Sequence, residues 1–257
     1  AVKFGAAPAK AAAVQYQAVK LSYDQCVTTP DGRPGAGYFD NQGHAIPAEM
    51  LPSEIAYGAI RFLLAPSGYG RHNAVIPRGQ TISLPSGNFT RLYLLAANAG
   101  SDAKASFRIG DKPVDLTIQD WSGYIGQWDN RIWKSHEEPV PPPTPEQQAR
   151  AGGAGRGGAG AQNQQPRMRT VEEMVGLTPG FIKPSSVAWF ASHRHASDGS
   201  NEPYAYSYLY AYTIDIPAGA TTLTLPNAGN IRILAITVSD EAAQVRPVQI
   251  LTDYLAR

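Results

Sequence analysis

Residues 81–97 read TISLPSGNFTRLYLLAA, and this stretch decides the fold class. Its first run, Thr81–Leu84, alternates hydroxyl and aliphatic side chains, which is typical of a strand with one solvent-exposed face and one buried face. After a turn that contains Pro, Ser, Gly and Asn, the run Arg91–Ala96 is apolar on both faces, as in a central strand. The stretch therefore predicts two β-strands joined by a turn.

A second copy of this pattern lies near the carboxyl end, where residues 222–236 read TLTLPNAGNIRILAI. Thr222–Pro226 corresponds to Thr81–Pro85, and Arg232–Ile236 corresponds to Arg91–Leu95 at the same offset. Because both copies predict strand, turn and strand, we expect two related hairpins in related places. The shared pattern is short, so chance similarity between hairpins stays open as the alternative.

The other predicted strands are short runs of β-branched and aromatic residues bounded by turn residues, in a chain with 25 Gly and 21 Pro. The first group is Tyr57–Leu64, Gln80–Leu84, Arg91–Ala96, Ala105–Ile109 and Val114–Gln119. The second group is Val187–Ser192, Tyr204–Ile216, Thr221–Leu225, Ile231–Val238 and Val248–Leu251. This spacing predicts an all-β fold, a β-sandwich that is either jelly-roll-like or built from two packed antiparallel sheets.

The chain divides into four predicted segments. Residues 1–15 form an amino-terminal extension or linker, and residues 16–136 form the first half of the sandwich. Residues 137–169 are rich in Pro and Gly and poor in apolar side chains, which predicts a long, disordered linker loop. Residues 170–257 complete the same sandwich, starting with Thr170–Glu173, which fits a capping box and predicts a short helix through about Val175.

Composition excludes several classes of protein. The 257 residues carry 22 Lys and Arg against 21 Asp and Glu, and a net charge of +1 gives no broad field for a nucleic acid. No run approaches the roughly 20 apolar residues of a membrane helix, which predicts a soluble protein. The first residues lack a signal-peptide pattern. The single cysteine, Cys26, excludes an internal disulfide and a thiolate metal site.

Residues 121–133, WSGYIGQWDNRIW, combine aromatic and polar side chains in one short segment. Sugars present an apolar face that packs on an aromatic ring and hydroxyls that bind carboxylate, amide and guanidinium groups. Trp121, Trp128, Asp129 and Arg131 supply these groups, so the segment is a candidate carbohydrate site. The alternative is that the tryptophans fill the core and Asp129 and Arg131 form a structural ion pair.

A second polar cluster contains two of the five histidines. On an extended segment, His193 and His195 point to the same face, and Glu202 offers an oxygen ligand, which would give a zinc-like site with His44 as a third protein ligand brought by the fold. The alternative is a polar loop in which the histidines and Arg194 brace backbone carbonyls.

A third cluster lies in residues 38–52, where Asp-Asn-Gln-Gly predicts a turn. Glu49 in this segment either binds a ligand hydroxyl or caps neighbouring backbone amides. The sequence contains no nucleophile elbow, phosphate loop, His-Glu-x-x-His motif or dinucleotide fingerprint. We therefore assign no active site from these residues.

Several segments in order resemble the carboxyl-terminal β region of bacterial alpha-mannosidases of glycoside hydrolase family 38. They are FDNQGHAIPAEMLP (39–52), RGQTISLP (78–85), RLYLLAA (91–97), DLTIQDWSGYIGQWDNR (115–131), VAWFASHRH (187–195), NEPYAYSYLYAYTIDIPAGATTLTLPN (201–227) and IRILAITV (231–238). The likeness runs from about Tyr16 to Val238. It implies a non-catalytic β-sandwich part of a retaining, zinc-dependent mannosidase, and it favours a periplasmic or secreted location.

In that family the nucleophilic aspartate and the zinc ligands belong to an amino-terminal domain with no counterpart in this sequence. We therefore carry over no catalytic residue, no metal ligand and no cofactor. Residues 137–169 depart from the family pattern as an insertion. The resemblance implies two partners, a mannose-type glycan or a catalytic glycosidase domain.

The leading hypothesis is an accessory β-sandwich module that supports a catalytic partner or binds carbohydrate. Its predicted binding residues are Trp121, Trp128, Asp129, Arg131, His193, His195, Glu202 and Tyr204. Two other classes stay open. One is a metal-dependent, glycoside-active enzyme that uses His193, His195 and Glu202, and the other is a structural protein that self-assembles through strand edges.

Overall fold

The computed structural model describes residues 14–123, 126–127, 131–142, 144, 146–147, 167–177, 181–182 and 186–241. The described residues contain seventeen β-strands. In chain order they are β1 (Tyr16–Ala18), β2 (Thr28–Thr29), β3 (Ile46–Pro47), β4 (Glu54–Tyr57), β5 (Ile60–Leu63), β6 (Thr81–Ser83), β7 (Arg91–Asn98), β8 (Ala103–Ile109), β9 (Lys112–Ile118), β10 (Gly126–Gln127), β11 (Arg131–Pro139), β12 (Met168–Leu177), β13 (Phe181–Ile182), β14 (Val187–His195), β15 (Asn201–Asp215), β16 (Thr222–Thr224) and β17 (Ile231–Ser239).

The main layer is a five-stranded antiparallel sheet with the order β1-β17-β7-β15-β14. Its central strand, β7, is buried at every position after Arg91, and its neighbour β17 is buried along its whole length. Continuous apolar strands of this kind are stable only where both faces of the sheet are covered. The predicted central position of these two runs is confirmed.

A four-stranded antiparallel sheet, β6-β16-β8-β9, covers one face of the main sheet. The core between the two sheets takes alternate residues of β7, Leu92 and Leu94, and packs them with Phe107, Ile109 and Leu223 from the smaller sheet. The chain is therefore a β-sandwich of packed antiparallel sheets, as the turn spacing predicts.

The second face of the main sheet is covered by irregular chain and short strands. The other alternate residues of β7, Tyr93 and Leu95, join a core that contains Phe39, Phe62 and Trp121. These covering residues come from the segment around β2 to β5 and from the loop that follows β9. The same loops carry polar side chains, so the packing of this face also positions the candidate site described below.

The two sequence copies are related by an approximate two-fold rotation. β6 pairs with β16, and Ile82 lies opposite its own counterpart Leu223. The Leu84 amide donates to the Thr221 carbonyl at 2.8 Å, and the equivalent bond, from Leu225 to Gln80, measures 2.9 Å. β7 pairs with β17 in the same way until a bulge at Leu234 shifts the register. The two copies are therefore related strand-turn-strand units, but the prediction of hairpins is wrong, because β6 and β7, like β16 and β17, belong to different sheets and do not pair with each other.

The prediction of one strand over Tyr57–Leu64 is wrong. The segment contains the end of β4, a turn, and β5, and Gly58 in the turn has a φ of 59°. Glycine adopts this left-handed conformation without the steric cost that a Cβ carries, so Tyr57 and Ile60 pair across a tight hairpin. The apolar residues of this run did not indicate that the chain reverses direction at Gly58.

The predicted helix over Thr170–Val175 is also wrong, because these residues belong to β12. β12 pairs antiparallel with β11, and Glu173 lies opposite Lys134 in the register. The ladder satisfies the backbone groups that a capping box would serve, and Thr170, Val171 and Val175 are β-branched residues that favour strands. The pairing of β12 with β11 therefore outweighed the local capping signal.

The predicted linker over residues 137–169 is strand at both ends, since β11 extends to Pro139 and β12 begins at Met168. Most of its interior lies outside the described residues, as does the predicted strand Val248–Leu251. Gly126–Ile182 form a second compact unit, whose described strands are the β11-β12 ribbon and the short pair β10-β13. No helix in the described part of the chain has the length and apolar character needed to cross a membrane.

We predict that Leu94→Ala lowers the free energy of unfolding by about 2 to 5 kcal/mol, because it empties a fully buried position of the central strand. Urea denaturation followed by circular dichroism measures the change. The matched control is Leu63→Ala, since Leu63 is half exposed and should change stability by less than about 0.5 kcal/mol. Equal effects of the two variants would contradict the assignment of β7 as the central strand.

We also predict that stability falls in alkaline solution. Burial, with a smaller contribution from the hydrogen bond to Glu241, raises the pKa of Tyr93 to about 12, and burial raises the pKa of Tyr210 and Tyr212 as well. Tyrosines in the unfolded chain ionise near pH 10. Their stabilising effect is therefore complete below about pH 10 and is lost as the pH rises toward 12.

The expected slope is about 1.4 kcal/mol per pH unit for each such tyrosine, measured by urea denaturation at several pH values. Tyr93→Phe removes one of these groups and should make the decline shallower. An unchanged slope in this variant would show that Tyr93 does not contribute to the effect.

Candidate functional site

The polar residues near the end of β14 lie on two opposite faces of the sheet. In the β14-β15 register, Arg194 pairs with Glu202, whereas His193 and His195 pair with Pro203 and Asn201. Because side chains alternate along a strand and paired residues share a face, Arg194 and Glu202 point away from the histidines. One short strand end thus supplies two separate polar clusters.

The Arg194 face carries a connected set of polar side chains. Arg194 Nε donates to Glu202 Oε2 at 2.6 Å, and His44 Nε2 lies 3.6 Å from Glu202 Oε1. The other ring nitrogen of His44, Nδ1, lies 2.8 Å from Asp40 Oδ2. These contacts join the loop that precedes β3 to the β14-β15 pair.

The predicted Asp-Asn-Gln-Gly turn is confirmed at Asp40. Its Oδ1 accepts hydrogen bonds from the backbone amides of Gln42, at 2.9 Å, and His44, at 3.0 Å. An aspartate side chain that mimics a backbone turn in this way fixes the local chain path. The side chains of Asn41 and Gln42 are left exposed at the tip of the turn.

A cleft of about 450 Å³ lies beside this turn on the Arg194 face. Its lining residues come from the turn, from the loop after β7 and from the loop after β9. They are Asp40, Asn41, Gln42, Ala99, Gly100, Asp120, Trp121, Ser122, Gly123 and Arg194. Carboxylate, amide, hydroxyl and guanidinium groups therefore surround one small volume, so a ligand there could both accept and donate hydrogen bonds.

Trp121 contributes to this lining while its ring is packed in the core. The residue is 1% exposed, and its ring stacks on Phe39 at a centroid distance of 4.5 Å. The guanidinium carbon of Arg194 lies 6.0 Å from the Trp121 ring centroid. Backbone bonds to Asn98 and from Tyr208 hold the tryptophan in place. Trp121 thus acts as a rigid support for Arg194.

The opposite face of β14 brings the two histidines together with an acid from another segment. The ring centroids of His193 and His195 are 5.5 Å apart. Glu49 Oε1 lies 3.7 Å from His193 Nε2 and 3.2 Å from His195 Nε2. His195 is fully buried, and its Nδ1 lies 2.9 Å from Thr29 Oγ1. Nitrogen and oxygen donors of this kind suit a divalent metal ion.

Backbone pairing explains how Glu49 reaches the histidines. Ala45 and His195 exchange two backbone hydrogen bonds of 3.0 Å, which tie the segment before β3 to the end of β14. β2 and β3 pair in parallel, so Thr29 lies opposite Pro47. Glu49 follows β3 by two residues and extends from this anchored segment toward the histidine rings.

The structure brings together some of the predicted site residues and separates others. The pairing of His193 with His195 on one face is as predicted. Among the described residues, the acid within 4 Å of both is Glu49, whereas Glu202 pairs with Arg194 on the other face. His44 accompanies Glu202 there, so the predicted ligand set of two histidines, Glu202 and His44 does not form.

Arg131 belongs to the second compact unit. Arg131 is exposed on β11, where its guanidinium carbon lies 5.4 Å from the Trp133 ring centroid. Trp128 and Asp129 lie outside the described residues. Tyr204 belongs to β15, and its side chain lies outside what the structure describes.

Sequence reasoning missed the partners of the histidines. Thr29 and Asp31 carry no motif, and Glu49 is a single acid in a turn-rich segment. Only the spatial pairing of β2 with β3, and of Ala45 with His195, brings these residues to β14. Asp31 Oδ1 lies 3.5 Å from His195 Nε2, which places a second carboxylate near the same ring.

The chain matches a known protein family over most of its length. The family described as AziU2-like beta-sandwich domain matches residues 15–242, which include both sheets of the sandwich and both polar clusters. No curated protein is similar enough to the chain to count as a relative.

Proposed function

The chain belongs to the family of AziU2-like β-sandwich domains, and we propose that it is a non-catalytic module that binds a carbohydrate in the Arg194 cleft. The observation that carries this proposal is the group of amide, hydroxyl, carboxylate and guanidinium side chains around a 450 Å³ volume. Sugar hydroxyls both donate and accept hydrogen bonds, and such a lining offers both kinds of partner.

The rigidity of the cleft supports binding at low entropic cost. Arg194 is held by Glu202 at 2.6 Å and by the packed Trp121 ring, and Ser122 Oγ donates to the Tyr206 carbonyl at 3.0 Å. A preorganised site loses little side-chain freedom when a ligand binds. Because the Trp121 ring is buried, recognition in this proposal rests on hydrogen bonds rather than on stacking of a sugar on that ring.

A mannose-type glycan is the ligand that the resemblance to glycoside hydrolase family 38 suggests, and that resemblance stays a prediction. The role as an accessory to a catalytic glycosidase domain is likewise a prediction from that resemblance. Both proposals depend on the β-sandwich as a scaffold and do not require bond-breaking residues in this chain.

We predict that mannose or a manno-oligosaccharide binds the purified chain with millimolar or tighter affinity, measured by isothermal titration calorimetry. Arg194→Ala should weaken binding about 10-fold or more, because a hydrogen bond to a charged group contributes about 1.5 to 3 kcal/mol. Asn41→Ala, at an exposed position of the rim, should weaken binding by a smaller factor without affecting folding.

The matched control is Asn88→Ala, an exposed asparagine in the turn between β6 and β7. It should bind sugar as the wild type does. Absence of heat at millimolar sugar, or equal affinity in Arg194→Ala and wild type, would contradict carbohydrate binding in this cleft.

Self-association is a second candidate function, and the β11-β12 ribbon favours it. Both strands of this two-stranded sheet are edges among the described strands, and they are nine and ten residues long. Exposed apolar side chains are concentrated there, including Trp133, Met174 and Leu177. Unpaired edges with apolar side chains are surfaces on which another strand can pair.

We predict that Trp133→Lys shifts the protein from dimer to monomer in size-exclusion chromatography with light scattering, because a lysine opposes edge pairing and removes apolar contact area. Tyr69→Lys, an equally exposed aromatic position in a loop, is the matched control and should remain dimeric. A wild-type protein that is monomeric at all concentrations would exclude this second function.

A further inference from the structure

The geometry points to a divalent metal site, of the Zn²⁺ class, formed by Glu49, His193 and His195. This inference is separate from the proposed carbohydrate function, because these residues lie on the face of β14 opposite to Arg194. The site would hold one ion per chain, with Nε2 of each histidine and a carboxylate oxygen of Glu49 as its ligands.

Two of the three distances between the donor atoms are close to those expected around a tetrahedral ion. The three atoms all lie within 4.8 Å of one another, and Glu49 Oε1 is 3.2 and 3.7 Å from the two Nε2 atoms. Zinc bonds of about 2.1 Å place neighbouring ligands of a tetrahedral ion about 3.4 Å apart, and an octahedral ion would bring them to about 3.0 Å. The observed pair of distances averages near the tetrahedral value.

The hydrogen-bonding state of the histidines is an independent observation. His193 Nε2 and His195 Nε2 are both buried and have no hydrogen-bond partner among the described residues. The His195 side chain is fully buried. Buried polar atoms are nearly always paired, and two unpaired ring nitrogens beside one carboxylate are the arrangement that a metal ion would satisfy.

Thr29 is placed to orient one of these ligands. Its Oγ1 lies 2.9 Å from His195 Nδ1. When Thr29 accepts the Nδ1 proton, the lone pair of the imidazole is on Nε2 and faces Glu49 and His193. A partner on the far ring nitrogen that fixes the tautomer is typical of histidines that bind metal ions.

The surroundings leave room for a fourth ligand and a path for the ion. Glu49 is 40% exposed, so the site opens to solvent on the carboxylate side. Asp31 Oδ1, 3.5 Å from His195 Nε2, lies close enough to complete the coordination or to balance the charge of the ion. An ion bound there would join the segment after β3 to the end of β14, in addition to the backbone bonds between Ala45 and His195.

The test uses the full chain after treatment with a chelator and dialysis. We expect titration with Zn²⁺ alone, followed by calorimetry, to show one ion bound per chain. The Co²⁺-loaded protein should show the intense visible absorption of a tetrahedral site. Glu49→Gln and His193→Gln, both at partly exposed positions, should each weaken Zn²⁺ binding at least about 100-fold, and Thr29→Val about 10- to 100-fold.

His72→Gln is the matched control, since His72 is exposed and outside the cluster. It should bind Zn²⁺ with wild-type affinity. A folded wild-type chain that binds no Zn²⁺, or that binds it equally well after His193→Gln, would overturn the metal site.

Two further comparisons separate this proposal from the carbohydrate function. Arg194→Ala should leave Zn²⁺ affinity within about twofold of wild type, and Glu49→Gln should leave sugar binding unchanged. If Arg194→Ala abolished Zn²⁺ binding in a folded protein, the ligand set proposed here would be wrong, whatever the outcome of the sugar titration.

Discussion

The burial of β7 and β17 on both faces is the constraint on which the rest of the structure depends. Both strands are apolar at consecutive positions, so neither face of the main sheet can be left to water. The smaller sheet covers one face with regular strands. The other face is covered by chain that includes Phe39 and Trp121, and these core residues hold the loops that carry the polar side chains. The residues that pack the second face therefore also position the candidate site.

The period of two in a β-strand then divides the polar residues of β14 between two environments. Arg194 meets the turn at Asp40 and the cleft, whereas its neighbours His193 and His195 meet Glu49. A shift of one residue in the β14-β15 register would exchange these environments and would place charged groups among the wrong partners. The bulge between Ala191 and His193, together with the exchanged bonds between Ala45 and His195, fixes that register near the strand end.

Local patterns predicted much of the fold. Alternation, apolar runs and turn residues are properties of neighbouring residues. They predict the sandwich class, most strand positions and the turn at Asp40. The errors had two causes: the apolar run over Tyr57–Leu64 masked a local turn at Gly58, and the strand at Thr170–Val175 depends on pairing with the distant β11. For the candidate site too, local features could be predicted from the sequence and long-range contacts could not. The shared face of His193 and His195 is a local consequence of strand geometry, but Glu49 and Thr29 reach them only through the β2-β3 pairing and contacts across the sheet.

The burial of the strands next to the approximate two-fold axis restricts where polar clusters can lie. The repeated strand-turn-strand units supply β6, β7, β16 and β17, and equivalent residues such as Ile82 and Leu223 pair across the symmetry axis. A polar cluster on β7 or β17 would be buried, at a large cost if its hydrogen-bonding groups had no partners. β14 lies at the edge of the main sheet, away from the axis, where one strand end can carry charged groups against loops. The repeat thus supplies much of the buried core, and both polar clusters described above involve β14 at the unrepeated edge.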